Sequence, residues 1–334
     1  MGGLRRPSRS RLIDDHQVQT DGAAAGATDP GSVGVMKETL ERLGLGPDTR
    51  AVIVSCTNHG EHHAATSAVA QLQAAHPSVS AGLKVPCPWA RHAAALHRGG
   101  DVGVRLTLNA EHDIYRWGPI TLSPSLLDGN GGFPVTLEDL WDHADLDEVR
   151  RECRAQIERT ILWGFDVTHL SSHFDALLLR PEFFDVALDL AVEFDLPLEL
   201  PDEAVLNRAG FRLRELAAEE AIVSAGRVLE LDQEFEVPRH NSGRPDLAAA
   251  IDALHTFLAE LRPGVTVLRI SPAEDTPEHR ALTTSTAGIS MFETMRAALP
   301  TLMGPDHAGR GDHVRLISYR DLRAVQRQTS RRTS

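Results

Sequence analysis

The chain has 334 residues, a formal net charge of −13, 42% hydrophobic and 24% charged residues. That length allows one large core, and the composition is that of an ordinary globular protein. The acidic balance argues against nucleic acid or an anionic membrane as the main partner, and no apolar run approaches membrane-spanning length.

Met1 to Gly34 is rich in Arg, Ser, Gly and Ala without an apolar core, so residues 1–34 are expected to be a disordered leader, not a secretion signal. Residues 35–325 are expected to form one α/β domain, with a disordered tail over 326–334. Ala51 to Cys56 has the look of a buried parallel strand, and Ala64 to Ala75 follows as an Ala-rich helix. Ser80 to Val85 and Ala90 to His97 repeat that unit. Val102 to Leu108 is the next strand, with Val102, Val104, Leu106 and Leu108 on one side and Gly103, Arg105 and Thr107 on the other. If the valine side packs against helices, Arg105 points into the interior or the mouth.

Asn109 to Phe133 is a long Gly/Pro/Ser-rich loop of the kind that usually serves function. Thr136-Leu-Glu-Asp139 has helix-capping character, and Leu146, Val149, Cys153, Ile157 and Ile161 form a helical stripe that makes Cys153 a core residue. Phe165 to Ser172 is a predicted strand, Pro181 to Phe194 a helix opened by Pro, and Leu196 to Leu200 a strand. After an irregular middle stretch come a helix over Leu247 to Leu261, a strand over Val265 to Ser271, and a last pair over Val314 to Ser318 and Asp321 to Gln326. Repeated β-α units imply a parallel sheet, closed or open.

Parallel α/β folds place their chemistry at strand C-terminal ends. Four such ends carry suggestive residues: Ser55-Cys-Thr-Asn-His-Gly60, Val104-Arg-Leu-Thr-Leu108, Thr168-His-Leu-Ser-Ser-His173 and Ile270-Ser-Pro-Ala-Glu-Asp275. Supporting stretches include Pro86-Cys-Pro-Trp89, Tyr115-Arg-Trp-Gly-Pro119 and Arg180-Pro-Glu-Phe-Phe184. In order and spacing these blocks resemble the YdjC-like carbohydrate deacetylases, over roughly Met36 to Arg323. The resemblance implies a distorted parallel (β/α) barrel in a single domain. It also implies a divalent metal held by one Asp and two His, with a second Asp as base.

Carried over residue by residue, that chemistry is largely rewritten. The two acidic positions of the first block are Thr57 and Asn58, and a ligand His is Arg105. The Asp of the Thr-His-X-Asp-Ser-His block is Ser171, its ligand His survives as His173, and the His of a late His-Pro motif is Ser271. A unit positive charge about 4 Å from a divalent ion costs on the order of 8 kcal/mol at an effective dielectric near 20. A lone imidazole does not offset that, so no metal is expected at the inherited position.

The candidate catalytic residues are His173 as acid/base, Arg105 as electrostatic clamp, Asn58 and Thr57 as orienting groups, and His59, which with His62 and His63 crowds the first loop and otherwise belongs to an exposed polar turn. His169, Asp175, Trp117, Arg116 and Ser271 are candidate substrate contacts. The plainer alternatives stay beside these: Arg105 in an ion pair with Glu111 or Asp175, His173 as a hydrogen-bonded core histidine, and Trp89 as packing. Cys56 is a possible nucleophile near His59, or a small apolar filler. Glu274 and Asp275 are a solvated cap or a replacement carboxylate.

Three functions compete. The first is a metal-independent hydrolase or lyase acting on a small polar, anionic or sugar-like substrate. The second is a metal-dependent deacetylase using Zn, Ni, Co or Mg on relocated ligands His173, His59, His62 and Asp175. The third is a non-catalytic ligand-binding relative. Three cysteines without CxxC spacing fit a reducing compartment, with cytoplasm as the expected location. A homo-oligomer is compatible with each reading.

Overall fold

The structure is a computed structural model that describes residues 38–112, 114–201, 205–206, 213–240, 245–302 and 314–333. The leader expected over 1–34 lies outside the described residues. The strands are β1 (Arg50–His59), β2 (Ser80–Leu83), β3 (Asp101–Leu106), β4 (Val167–Ser172), β5 (Arg227–Glu230), β6 (Gly264–Ile270) and β7 (Val314–Leu316). They pair in the order β4-β3-β2-β1-β6-β5, all parallel, with β7 beside β1. One edge of β1 is shared: Arg50, Ala51 and Val52 face β7, while Ser55 to His59 face β2.

The sheet curls toward closure beyond β4. Leu170 accepts a parallel bridge from Leu198, and the Leu198 N–H donates to the Val223 carbonyl at 3.2 Å. This is the distorted parallel (β/α) barrel that the β-α alternation and the resemblance implied. The stretch over Leu196 to Leu200 contributes that bridge where a strand was expected.

The predicted crossover helices form. They include α1 (His63–Ala75), α2 (Ala90–Leu96), α3 (Leu137–His143), α4 (Leu146–Leu162) and α5 (Pro181–Phe194). Capping follows the sequence: the Thr136 side chain accepts from Asp139 N, and the Asp145 side chain accepts from Asp147 N and Glu148 N. Further along lie α6 (Leu213–Glu219), the single turn α7 (Leu231–Glu234), α8 (Leu247–Glu260), α9 (Pro277–Leu282), α10 (Ala287–Leu302) and α11 (Tyr319–Thr333). Helix α11 runs through residues that composition alone placed in a tail from 326. Of the described helices, none is long and apolar enough to cross a membrane.

The alternation along β3 has the consequence read from it. Val102, Val104 and Leu106 join the main apolar cluster with Ala68, Val69, Leu72, Val149, Cys153 and Ile157 of the surrounding helices. The opposite faces, turned into the barrel, are polar and almost fully buried: Asp101, Arg105, His169, Glu199 and Arg269. Glycine makes room for them. A Cβ on Gly103 would stand 2.4 Å from His169 Nδ1 and from the His169 carbonyl oxygen. One on Gly82 would stand 3.0 Å from Arg105 Cβ.

Candidate functional site

Burying that many charges requires partners, and the barrel supplies them in two networks. The first is centred on Arg269, on β6. Its Nε donates to Glu199 Oε1 at 2.7 Å, Nη1 to Glu230 Oε1 at 2.9 Å, and Nη2 to Asp175 Oδ1 at 2.9 Å. Tyr319, the first residue of α11, donates its hydroxyl to Glu199 Oε2 at 2.5 Å. Burial pushes the Glu199 carboxyl up, but the guanidinium charges of Arg269 and Arg105 outweigh it and hold it at about 2.

Arg105 is the loose member of this network. Its nearest ion-pair contact is Nη1 to Glu199 Oε1 at 3.8 Å, too long for a hydrogen bond. Among the described residues its guanidinium donates no hydrogen bond, and the buried Nε has no partner. Burial and the neighbouring Arg269 both oppose its charge. The ion-pair reading of Arg105 thus holds in kind with a different partner: Glu199, not Glu111 or Asp175. Asp175 is already committed to Arg269.

The second network lies around Lys84, which follows β2 and is 1% exposed. Its Nζ donates to Glu61 Oε2 at 2.8 Å and to Glu111 Oε1 at 3.3 Å, and lies 4.7 Å from the centroid of the Trp117 ring. His112 Nε2 meets Glu61 Oε1 at 3.3 Å, and His173 Nε2 meets Glu111 Oε2 at 3.1 Å. Burial raises both carboxyls, yet the ammonium and the imidazole contacts reverse that and hold them below the usual carboxylate range. Burial, then the Lys84 charge, lowers His173 to about 4, so its ring is neutral at physiological pH. Against an ionised Glu111, Nε2 carries the proton and Nδ1 is the basic atom.

A third group joins the ends of β1 and β6. Thr57 Oγ1 and Ser271 Oγ are 2.9 Å apart, and the Asn58 amide donates to the Pro272 carbonyl at 3.0 Å, leaving Asn58 Oδ1 buried without a partner. Ser271 N donates to Asp232 Oδ2 at 2.7 Å. Burial raises Asp232 to about 6, and its Oδ1 is also unpartnered.

The remaining candidates separate. His59 is buried, with burial pushing it down to about 3, and packs as a neutral ring. His169 stacks on Tyr319 with ring centroids 3.7 Å apart, inside the barrel and away from the mouth. His62 caps α1, accepting from Ala65 N at 3.3 Å. Trp117 is buried, its indole N–H donating to the Asn109 carbonyl at 2.8 Å. Arg116 binds the carbonyls of Ala110 and Phe133 and the Asp128 carboxylate. These two residues pin the long loop. Asp275 is spent on Arg280 and Glu274 on Gln71, so neither replaces the lost carboxylate. Burial pushes the Cys56 thiol up, which makes it a core filler.

Two positions bear on a metal. At the one implied by resemblance, the donors are an amide oxygen, a guanidinium and an imidazole already hydrogen-bonded to Glu111. That set does not fit a divalent ion. The relocated set of His173, His59, His62 and Asp175 is not brought together. Instead Glu61, Glu111 and His112 place ligand atoms within 4.8 Å of one another. Their type suits a metal, but the Lys84 ammonium lies between the two carboxylates and supplies the positive charge itself.

Sequence reasoning missed Lys84, Glu199 and Arg269. Each is a charged residue flanked by apolar neighbours, in Leu83-Lys84-Val85, Leu198-Glu199-Leu200 and Leu268-Arg269-Ile270. A charge inside a buried-strand run was the available signal.

Comparison with known proteins gives a consistent picture. The family model described as YdjC-like protein matches residues 51–306. A carbohydrate deacetylase of Thermus thermophilus is 38% identical over 165 residues, which cover 49% of this chain and 58% of the relative. Another from Geobacillus stearothermophilus is 34% identical over 122 residues, covering 36% and 46%. The chain therefore spans about half the length of the curated relatives it matches. In fold, it is similar to a crystal structure from Enterococcus faecalis V583, provisionally assigned to cellobiose-phosphate cleavage. The TM-score is 0.62 at 19% identity, over 82% of this chain and 99% of that one.

Proposed function

Since the chain belongs to the YdjC-like family, we propose that it is a metal-independent enzyme of hydrolase or lyase type. Its substrate is a small carbohydrate carrying a carboxylate or an acyl group. The observation that carries this is Arg105, a buried guanidinium with an unpartnered Nε, on the strand position where the resemblance places a metal ligand. Five N–H donors and one long ion pair leave donors to bind a carboxylate, or an oxyanion developing on an acyl carbon. His173, neutral and anchored through Nε2 by Glu111, has the basic Nδ1 needed to move a proton. Asn58 Oδ1, with no partner of its own, orients a substrate hydroxyl or water.

The names of the curated relatives and the Glu61, Glu111 and His112 group favour a second reading, a metal-dependent carbohydrate deacetylase. One set of measurements separates the two. Metal content is determined on protein purified without chelator, and acetate release from N-acetylated sugars is followed before and after chelation. The metal-independent reading expects turnover to survive chelation, Arg105→Ala to weaken binding of acetate at least about tenfold, and His173→Ala to abolish turnover. Stoichiometric Zn, Ni, Co or Mg with acetate release lost on chelation would establish the second reading instead.

A further inference from the structure

The turn after β4 holds an aromatic ring in an expensive way. Phe174 and Asp175 follow His173 directly, and both have φ of 53°, in the left-handed region that side-chain-bearing residues avoid. Two such residues in succession persist only where their surroundings dictate the conformation. Here the surroundings are explicit. Asp175 is clamped by Arg269 through Nη1 at 3.2 Å and Nη2 at 2.9 Å. Leu178 N donates to the Asp175 carbonyl at 2.7 Å, and Leu177 N donates to Ser172 Oγ at 3.0 Å.

The strained backbone does not serve to bury Phe174. The residue is 44% exposed, and its ring lies against the His173 imidazole, with centroids 4.1 Å apart and planes 25° apart. A large apolar ring is thus fixed on one face by the candidate acid/base and open to solvent. A glycine or asparagine would make the same turn at lower cost.

We infer that Phe174 is a stacking platform for a pyranose ring, a specificity residue that sets the sugar beside His173. The C–H face of a pyranose is apolar, and a rigid aromatic ring with little rotamer freedom is suited to cover it. This rests on the proposed carbohydrate reading and narrows it, since the platform recognises the neutral ring and not the charged or acylated group.

The test titrates the full chain with two neutral disaccharides, N,N′-diacetylchitobiose and cellobiose, by saturation-transfer difference NMR, with acetate as a separate probe of Arg105. The wild type should bind at least one disaccharide. Phe174→Ala should weaken that binding about tenfold or more, and Phe174→Trp should keep it. Phe174→Gly should lose it while melting no lower than the wild type, because the turn is relaxed. A purely structural role for Phe174 predicts the opposite pattern, with Phe174→Gly less stable and sugar binding unmoved in Phe174→Ala. Absence of disaccharide binding in the wild type also overturns the platform. If acetate binding still depends on Arg105 in that case, the anion seat stands without it. If disaccharides bind through Phe174 while acetate ignores Arg105→Ala, the platform stands and the Arg105 reading fails.

Discussion

Replacing Lys84 by Met tests whether the ammonium is the counter-charge of the Glu61 and Glu111 pair. Methionine keeps most of the buried volume, so the change is chiefly electrostatic. The lysine nitrogen is 2.8 Å from one carboxylate and 3.3 Å from the other, at 1% exposure. Removing one partner of a buried ion pair costs about 3–5 kcal/mol. Glu111 keeps His173 and Glu61 keeps His112, so the lower part of that range, about 3–4 kcal/mol, is expected. In a chain of this size, unfolding with about 2.1 cal/mol/K of entropy per residue, that is a fall in Tm of roughly 4–6 °C.

The pH dependence gives a sharper signature. In the wild type both carboxyls are held below their unfolded value of about 4.3, so their stabilisation is present above that pH and lost as pH falls. In Lys84→Met burial dominates and raises them, so stability is greatest near pH 4 to 5 and declines as pH rises toward 8. Thermal unfolding followed by circular dichroism at several pH values between 5 and 8 reads both effects. A variant that melts within about 2 °C of the wild type, with an unchanged pH profile, would refute the counter-charge assignment.

Asp232→Asn should gain about 1–2 kcal/mol relative to the wild type between pH 5 and pH 8, since the part of the favourable contribution that a carboxyl raised to about 6 still makes at pH 5 is lost as pH rises through that value. Denaturant unfolding at both pH values checks it, and an equal difference at the two would dismiss it. Gly103→Ala should cost about 1–3 kcal/mol or prevent folding, because its Cβ would meet the His169 backbone as well as the ring. Wild-type melting in that variant would contradict the close approach. Tyr319→Phe should cost about 1.5–3 kcal/mol by removing a buried charge-assisted hydrogen bond from Glu199, which the same melts would measure.

The β-α order and the inward aim of Arg105 were legible because both follow from local periodicity. Val102, Val104 and Leu106 alternate with Gly103 and Arg105, and only one face of that strand suits a helix layer. The partner of Arg105 was not legible. Glu199 comes 94 residues later, on a stretch that makes one bridge and no extended ladder, and sequence separation carries no information about which carboxylate arrives. Strand β5 and helix α10 escaped for a related reason. Neither shows clean periodicity, since each is finished by packing against distant elements. The loop-holding contacts of Trp117 and Arg116 were not legible, because a long polar loop offers no hint that its own aromatic and cationic residues hold it together.

The divided edge of β1 sets an order of assembly. β7 closes the edge beside Arg50, and the next helix delivers Tyr319 to Glu199, so the interior ion network is completed by residues some 120 positions beyond the carboxylate they satisfy. While it emerges from the ribosome, the nascent barrel must therefore wait with Glu199 Oε2 lacking its Tyr319 donor and one rim unzipped. Chaperone dependence and truncation sensitivity should concentrate in the stretch from Val314 to Gln326.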